Sequence, residues 1–225
     1  MAVGKTRASK PARILIVDDH PAVREALAVL IAGEADLMVS GEAADFAEAV
    51  RLVDATNPDV AIIDLALKSG SGMELIKRLR QKHEKIRMIV WSMYSEELYA
   101  ERVLRAGARG YINKQQATSK IIEAVRQVLA GKPYLSAAMT EKLLQRHVGS
   151  SRETSSQSGI DALSDRELDV FQLIGQGVKT SDIATRLHVS VRTVETYRDR
   201  IRGKLGLRDG AELSRRAVEW MVENA

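Results

Sequence analysis

Four short, mostly apolar runs end in residues that could do chemistry together. Ile14–Val17 ends in Asp18-Asp19, Val60–Ile63 in Asp64, Arg87–Trp91 in Ser92, and Gly110–Asn113 in Lys114. Such runs, bounded by turn residues, read as buried strands of a parallel sheet. In open α/β sheets, ligands gather at the carboxyl ends of the strands. Three carboxylates on one sheet edge repel one another unless a cation is present. Hard oxygen ligands favour Mg2+, which keeps several waters and also accepts phosphate oxygens. A lysine and a hydroxyl beside such a metal suit a tetrahedral dianion. In that setting Asp64 has the makings of a nucleophile toward phosphorus, giving an acyl phosphate. Mg2+ and Lys114 would neutralise charge on the transferring group. No G-x-x-x-x-G-K-[ST] loop occurs, so ATP hydrolysis by the chain itself is not expected.

The intervening segments are what must position these ends. Pro21–Ala32 carries a helical stripe of Val23, Leu27, Leu30 and Ile31. Leu37–Ser40 reads as a weak second strand. Ala44–Ala55, Gly72–Gln81, Glu96–Ala106 and Thr118–Ala130 have helical periodicity, the last strongly so through Ile121, Ile122, Val125 and Leu129. Five βα units in succession over residues 13–132 predict a doubly wound parallel sheet.

Beyond Pro133, Ser136–Arg146 predicts a short helix. Gly149 to Gly159 is dense in serine and glycine and lacks apolar residues, which is a flexible linker signature. The expected organisation is a basic tail over 1–12, an α/β domain over 13–132, a linker helix and Ser/Gly linker over 133–160, and an all-α domain of four helices over 161–225. In the last of these, Ser164-x-x-Glu167 predicts a capping box, with Gly175 and Gly177 as the stop. A helix over Thr180–Leu187 is followed after His188-Val189-Ser190 by another over Val191–Leu205, with Ser190 as N-cap. Two helices joined by a three-residue turn are a helix-turn-helix signature. A fourth helix runs from Asp209 to Val222.

Charge must be read locally. The pI is 9.3, yet the formal +4 lies entirely in residues 1–13, through Lys5, Arg7, Lys10 and Arg13. Residues 161–225 hold 11 basic and 11 acidic side chains. Within them, 191–208 hold six basic residues against two acids, a footprint suited to a phosphate backbone. In this stretch Val194, Tyr197, Ile201 and Leu205 form an apolar stripe. Arg192, Glu195, Thr196, Asp199 and Arg202 lie opposite. With zero cysteines there is neither a disulfide framework nor a thiolate metal site. The N-terminus has no apolar core, so a secretory signal is not expected, and no run approaches a membrane span. The expected compartment is the cytoplasm.

Residues 13–131 resemble a response-regulator receiver domain through I-L-I-V-D-D, I-I-D-L, V-W-S and A-G-A-R-G-Y-I-N-K. The resemblance implies a five-stranded, flavodoxin-like sheet with Asp64 as phosphoacceptor. It implies Mg2+ held by Asp18, Asp19, Asp64 and the Ala66 carbonyl. Ser92 and Lys114 would contact the phosphoryl group, and Tyr111 would be a rotating aromatic switch. Gly72 falls where the family has its glycine, and Lys68 stands where many members have proline. Residues 162–222 are similar to the LuxR-type helix-turn-helix of NarL/FixJ regulators, through L-S-D-R-E-L-D-V-F-Q-L-I-G-Q-G, D-I-A-T-R-L-H-V-S-V-R-T-V-E-T-Y-R and K-L-G-L. This likeness implies that Val191–Leu205 enters the major groove of double-stranded DNA. Glu195, Thr196 and Asp199 would face bases. Thr180, Arg192, Thr193, Arg198 and Lys204 would contact phosphates. It also implies a homodimer contact on the fourth helix, through Ala211, Leu213, Ala217, Val218 and Met221.

The expectation is a transcription regulator that takes a phosphoryl group from a sensor histidine kinase and is not otherwise an enzyme. Two alternatives stand beside it. One is a phosphorylation-independent DNA-binding or docking regulator with a receiver-like domain. The other is a metal-dependent phosphatase, which would leave the helix-turn-helix unexplained.

Overall fold

The computed structural model describes residues 10–67, 71–148 and 159–223. The tail over 1–9, Lys68 in its turn, and the Ser/Gly stretch over 149–158 lie outside the described residues. The chain divides into two compact units, with the division between Leu143 and Leu144.

The first unit runs β1 (Ala12–Val17), α1 (Pro21–Ala32), β2 (Leu37–Ala43), α2 (Phe46–Thr56), β3 (Val60–Ile63), α3 (Gly72–Lys82), β4 (Arg87–Ser92), α4 (Glu96–Ala106), β5 (Gly110–Asn113) and α5 (Ser119–Leu129). The strands pair in parallel in the order β2-β1-β3-β4-β5. That is the flavodoxin-like order, with its crossover beside β1. Side chains alternate across a strand. Ile14, Ile16, Ile62, Ile89, Trp91 and Ile112 therefore share one core with Leu27 and Ile31 of α1 and Ile121, Val125 and Val128 of α5. Leu15 points the other way, toward Leu52 of α2. Both faces are covered, which is why these strands are apolar throughout.

β2 is longer than its apolar pattern predicts. Ile14 pairs with Val39 and Leu15 with Gly41, so Ser40 is a bulge and pairing continues to Ala43. An edge strand tolerates the polar Ser40-Gly41-Glu42 that hid this extension from a hydrophobicity reading. The segment after α5 also differs from its grouping with the linker. Tyr134 joins the sheet core, its amide donates to the Arg109 carbonyl, and its own carbonyl accepts from Tyr111 N at 2.9 Å. The Ser136 amide donates to Glu96 Oε1 at 2.9 Å. Helix α6 (Ala137–Val148) begins there, anchored by the buried Met139.

The second unit contains a single 3-10 turn (Gly159–Ala162), then α7 (Asp165–Gly175), α8 (Thr180–Arg186), α9 (Val191–Leu205) and α10 (Gly210–Glu223). The capping box is present: Ser164 N donates to Glu167 Oε2 at 2.7 Å and Glu167 N to Ser164 Oγ at 3.4 Å. The core joins Phe171, Ile174, Ile183, Val194, Ile201, Leu213, Ala217 and Trp220, with Phe171 and Trp220 edge to face at 5.6 Å. α7 ends at Gly175 as expected, with Gln176 as its cap and Gly177 beyond at φ 74°. A Cβ on Gly175 would meet Met221 Cγ at 2.6 Å and the Ala217 carbonyl oxygen at 2.7 Å. Its lack of a side chain lets α10 pack close.

Candidate functional site

Parallel register brings the strand ends together. Val17 pairs with Ile63, Ile63 with Val90, and Ser92 with Asn113. Asp18 and Asp64 each follow a strand directly, and Lys114 follows β5 with its amide on the Ser92 carbonyl at 2.8 Å. Asp18, Asp19 and Asp64 are 1%, 9% and 4% exposed, and Ser92 and Tyr111 are fully buried. The Lys114 ammonium bridges two of the acids, at 2.6 Å to Asp18 Oδ2 and 2.5 Å to Asp64 Oδ2. It also lies 5.5 Å from the centre of the Trp91 ring, a cation–π distance.

The turn after β3 is held by close backbone contact. Gly72 N donates to the Leu65 carbonyl at 3.1 Å. A Cβ on Gly72 would overlap the Asp64 carbonyl oxygen and sit 2.7 Å from Leu65 Cα. Any larger residue would push the loop and move Asp64. The Ala66 amide donates to Asp64 Oδ1 at 3.3 Å.

Burial pushes the Asp64 carboxyl above its ordinary value, Asp18 adds to this, and Lys114 and Ser92 pull it only partly back. Burial opposes charge on Lys114, but Asp64 and Asp18 together outweigh it and hold its ammonium above its usual value. Burial, with the Asp64 charge behind it, raises the Tyr111 phenol well above its usual range. Tyr111 is a neutral donor here, giving its proton to the Tyr94 carbonyl at 2.8 Å. Asn113 Nδ2 donates to the same oxygen at 2.9 Å, and the Tyr94 ring stacks on Tyr99 of α4 at 4.8 Å.

Three buried carboxylates facing one lysine leave surplus negative charge. Asp19 Oδ1 is buried and receives no hydrogen bond of adequate geometry. An orphaned carboxylate oxygen beside other carboxylates is the donor set of a hard divalent cation, so these residues fit one. His20 was not among the residues singled out from sequence. Its Nδ1 stands 2.7 Å from Asp19 Oδ1 and 3.4 Å from Asp18 Oδ1. The D-D-H run at the end of the first strand was the signal that could have found it.

In the second unit, Ser190 Oγ accepts from Thr193 N at 3.0 Å and fixes the start of α9. Val194 and Ile201 are buried, while Arg192, Glu195, Thr196, Asp199 and Arg200 are exposed. Arg192, Glu195, Thr196 and Asp199 thus share the helix face opposite the core. Thr180 is half-buried at the start of α8. Arg198 Nε lies 3.6 Å from Glu195 Oε2, and the Arg202 guanidinium lies 2.5 Å from Asp199 Oδ1. The Lys204 ammonium lies 2.6 Å from the buried Glu167 and 3.0 Å from the Ala162 carbonyl. It ties α9 to α7 while its side chain stays 38% exposed. On α10, Leu213 and Ala217 are buried in the unit's own core. The expected dimer face therefore shrinks to its exposed row, Ala211 and Val218, to which the exposed Val222 adds.

Residues 14–126 match the model of the response regulator receiver domain, and 161–217 match that of the luxR family of bacterial regulatory proteins. The chain belongs to the LuxR-type response regulators. It is a two-component response regulator acting on DNA. Oxygen regulatory protein NreC of Staphylococcus epidermidis is 35% identical over 211 residues, covering 92% of this chain and 97% of its own. The NreC of Staphylococcus carnosus is also 35% identical, over 210 residues. A LuxR-family two-component response regulator from Aurantimonas sp. SI85-9A1 is 34% identical, with a TM-score of 0.57 over 62% of this chain and 99% of its own. RcsB of Salmonella typhimurium shares the fold at 24% identity, with a TM-score of 0.66 over 94% of this response regulator and 98% of its own chain. Among the described residues no helix is long and apolar enough to cross a membrane.

Proposed function

We propose that this response regulator accepts a phosphoryl group on Asp64 from a sensor histidine kinase and, as a dimer, binds paired DNA sites through α9. One observation carries the first half: Lys114 bridges Asp64 and Asp18 at adjacent strand ends. A carboxylate oxygen of Asp64 attacks phosphorus, the P–N bond to the donor histidine breaks, and the released electron pair stays on that nitrogen. Lys114 and Ser92 hold the transferring oxygens. Asp18, Asp19, Asp64 and the Ala66 carbonyl would hold Mg2+, which supplies charge neutralisation to the phosphoryl oxygens. Supporting this is the orphaned Asp19 Oδ1. Tyr111 and Ser92 carry the change outward, Tyr111 through Tyr94 toward α4 and through its amide toward Tyr134. Such a switch is a population shift between two states.

The second half rests on the exposed face of α9. Glu195, Thr196 and Asp199 face bases, and the two acids suit cytosine N4 donors. Thr180, Arg192, Thr193 and Arg198 contact phosphates. The dimer places two such helices about one helical turn of DNA apart, or a multiple of it. Supporting this assembly, one related structure is of two RcsB dimers bound to two parallel DNAs.

The test is intact mass after incubation with Mg2+ and a small phosphodonor, with size exclusion and DNA binding on the same samples. A single phosphoryl adduct is expected on the wild type and none on Asp64→Asn. An adduct that persists in Asp64→Asn sinks the assignment of Asp64. No adduct on the wild type, even with candidate kinases, moves the reading to a phosphorylation-independent regulator.

A further inference from the structure

His20 belongs to neither the phosphoryl site nor the DNA face as described, yet it stands against Asp19 Oδ1, a buried oxygen that receives no hydrogen bond of adequate geometry. Its amide donates to Asp18 Oδ1 at 2.9 Å, which fixes the backbone of the loop after β1. Its side chain is 66% exposed, so no packing holds the ring where it is. Lys114 engages the Oδ2 atoms of Asp18 and Asp64. His20 Nδ1 stands instead beside the Oδ1 atoms of Asp19 and Asp18, at 2.7 and 3.4 Å. One ligand atom from each of Asp18, Asp19, His20 and Asp64 falls in a group spanning no more than 4.8 Å. In an octahedron with bonds of about 2.1 Å, adjacent ligands are about 3.0 Å apart and opposite ones about 4.2 Å. The His20–Asp19 and His20–Asp18 separations match adjacent ligands on one ion.

We propose that His20 is a nitrogen ligand of the strand-end cation site and that it makes the site prefer Mn2+, a first-row transition cation, over Mg2+. The proposal rests on the cation reading of Asp18, Asp19 and Asp64 given above. Carboxylates alone suit Mg2+ and Mn2+ alike, whereas an imidazole adds a nitrogen donor that the strongly hydrated Mg2+ uses poorly and that Mn2+, although the weakest binder of the first-row divalent series, uses better. The plainer account is a surface histidine paired with Asp19 by charge alone. It predicts no nitrogen on the metal.

The test uses the full-length chain loaded with Mn2+ and read by electron spin echo modulation, with Mn2+ and Mg2+ affinities measured by calorimetry. Wild type should show a directly bound 14N nucleus, and His20→Ala should lose it. The variant should also weaken Mn2+ binding about tenfold while leaving Mg2+ within about twofold. His20→Asn, which keeps a polar side chain of similar reach, should behave as His20→Ala does. Tight Mn2+ binding without nitrogen modulation, or a Mn2+ to Mg2+ ratio unchanged in His20→Ala, overturns the proposal while leaving the cation site intact. Failure of wild type to bind either ion, with Asp19→Asn indistinguishable from it, overturns both.

Discussion

Asp18, Asp19 and Asp64 are buried, and Lys114 bridges only Asp18 and Asp64, whereas Glu195 and Asp199 stand in solvent, each beside an arginine three residues on. The same residue type is thus used under opposite conditions. At the strand ends, burial raises the cost of each charge and the surplus is left unpaired. Such a site is in tension until a cation offsets its charge. On α9, water and the neighbouring arginines already stabilise the acids, so the helix can present them to a groove without distortion. A buried excess of charge suits a switch, and an exposed balanced set suits a reading surface.

The largest test of this contrast removes the shared lysine. Lys114→Met should destabilise the first unit by about 3 kcal/mol in chelator, because two buried carboxylates lose their partner. Millimolar Mg2+ should restore much of that loss, as read by urea unfolding. No rescue by the cation would mean that charge is not what Lys114 balances.

Next comes the half-buried pair of the second unit, Lys204 and Glu167. Lys204→Met should cost about 1–2 kcal/mol by leaving Glu167 with fewer donors. Burial alone would raise the Glu167 carboxyl, but Lys204 and Ser164 overcome it and hold it below its ordinary value. The pair's stabilisation is therefore full above the ordinary glutamate range and lost as pH falls through the depressed folded value. The gap between wild type and Lys204→Met should close in acid. A gap independent of pH would assign Lys204 a packing role only.

Asp64→Asn should act in the opposite direction. Burial raises the Asp64 carboxyl, so its ionised form opposes folding above the ordinary aspartate range. The metal-free variant should gain about 1 kcal/mol at neutral pH, a rise of a few degrees in melting temperature. A lower melting temperature would show that the Lys114 contact outweighs burial. The smallest effect belongs to α9, where Arg202→Ala should change stability by less than about 0.5 kcal/mol. A loss above about 1 kcal/mol would show that this exposed pair is structural.

The sheet, its helices and the convergence of Asp18, Asp64, Ser92 and Lys114 were legible because each polar residue terminates an apolar run. The helix-turn-helix was legible because caps and periodicity are local. The bulge at Ser40 was hidden, since an edge strand does not need alternating apolar residues. The pairing of Lys204 with Glu167 joins residues 37 positions apart, and no local pattern shows that a lysine will pair across such a separation. His20 was passed over because a lone histidine in a turn carries no periodic signal.

The sequence by itself determined the order of elements, the acids at the strand ends and the charge of α9, because these follow from local periodicity, capping and side-chain chemistry. Only the tertiary structure decided which carboxylates share Lys114, which oxygen of Asp19 is left without a donor, and why Gly72 and Gly175 admit no side chain. These outcomes depend on distances across β1, β3 and β5 and between α7 and α10. Packing sets such distances only once the whole unit has closed.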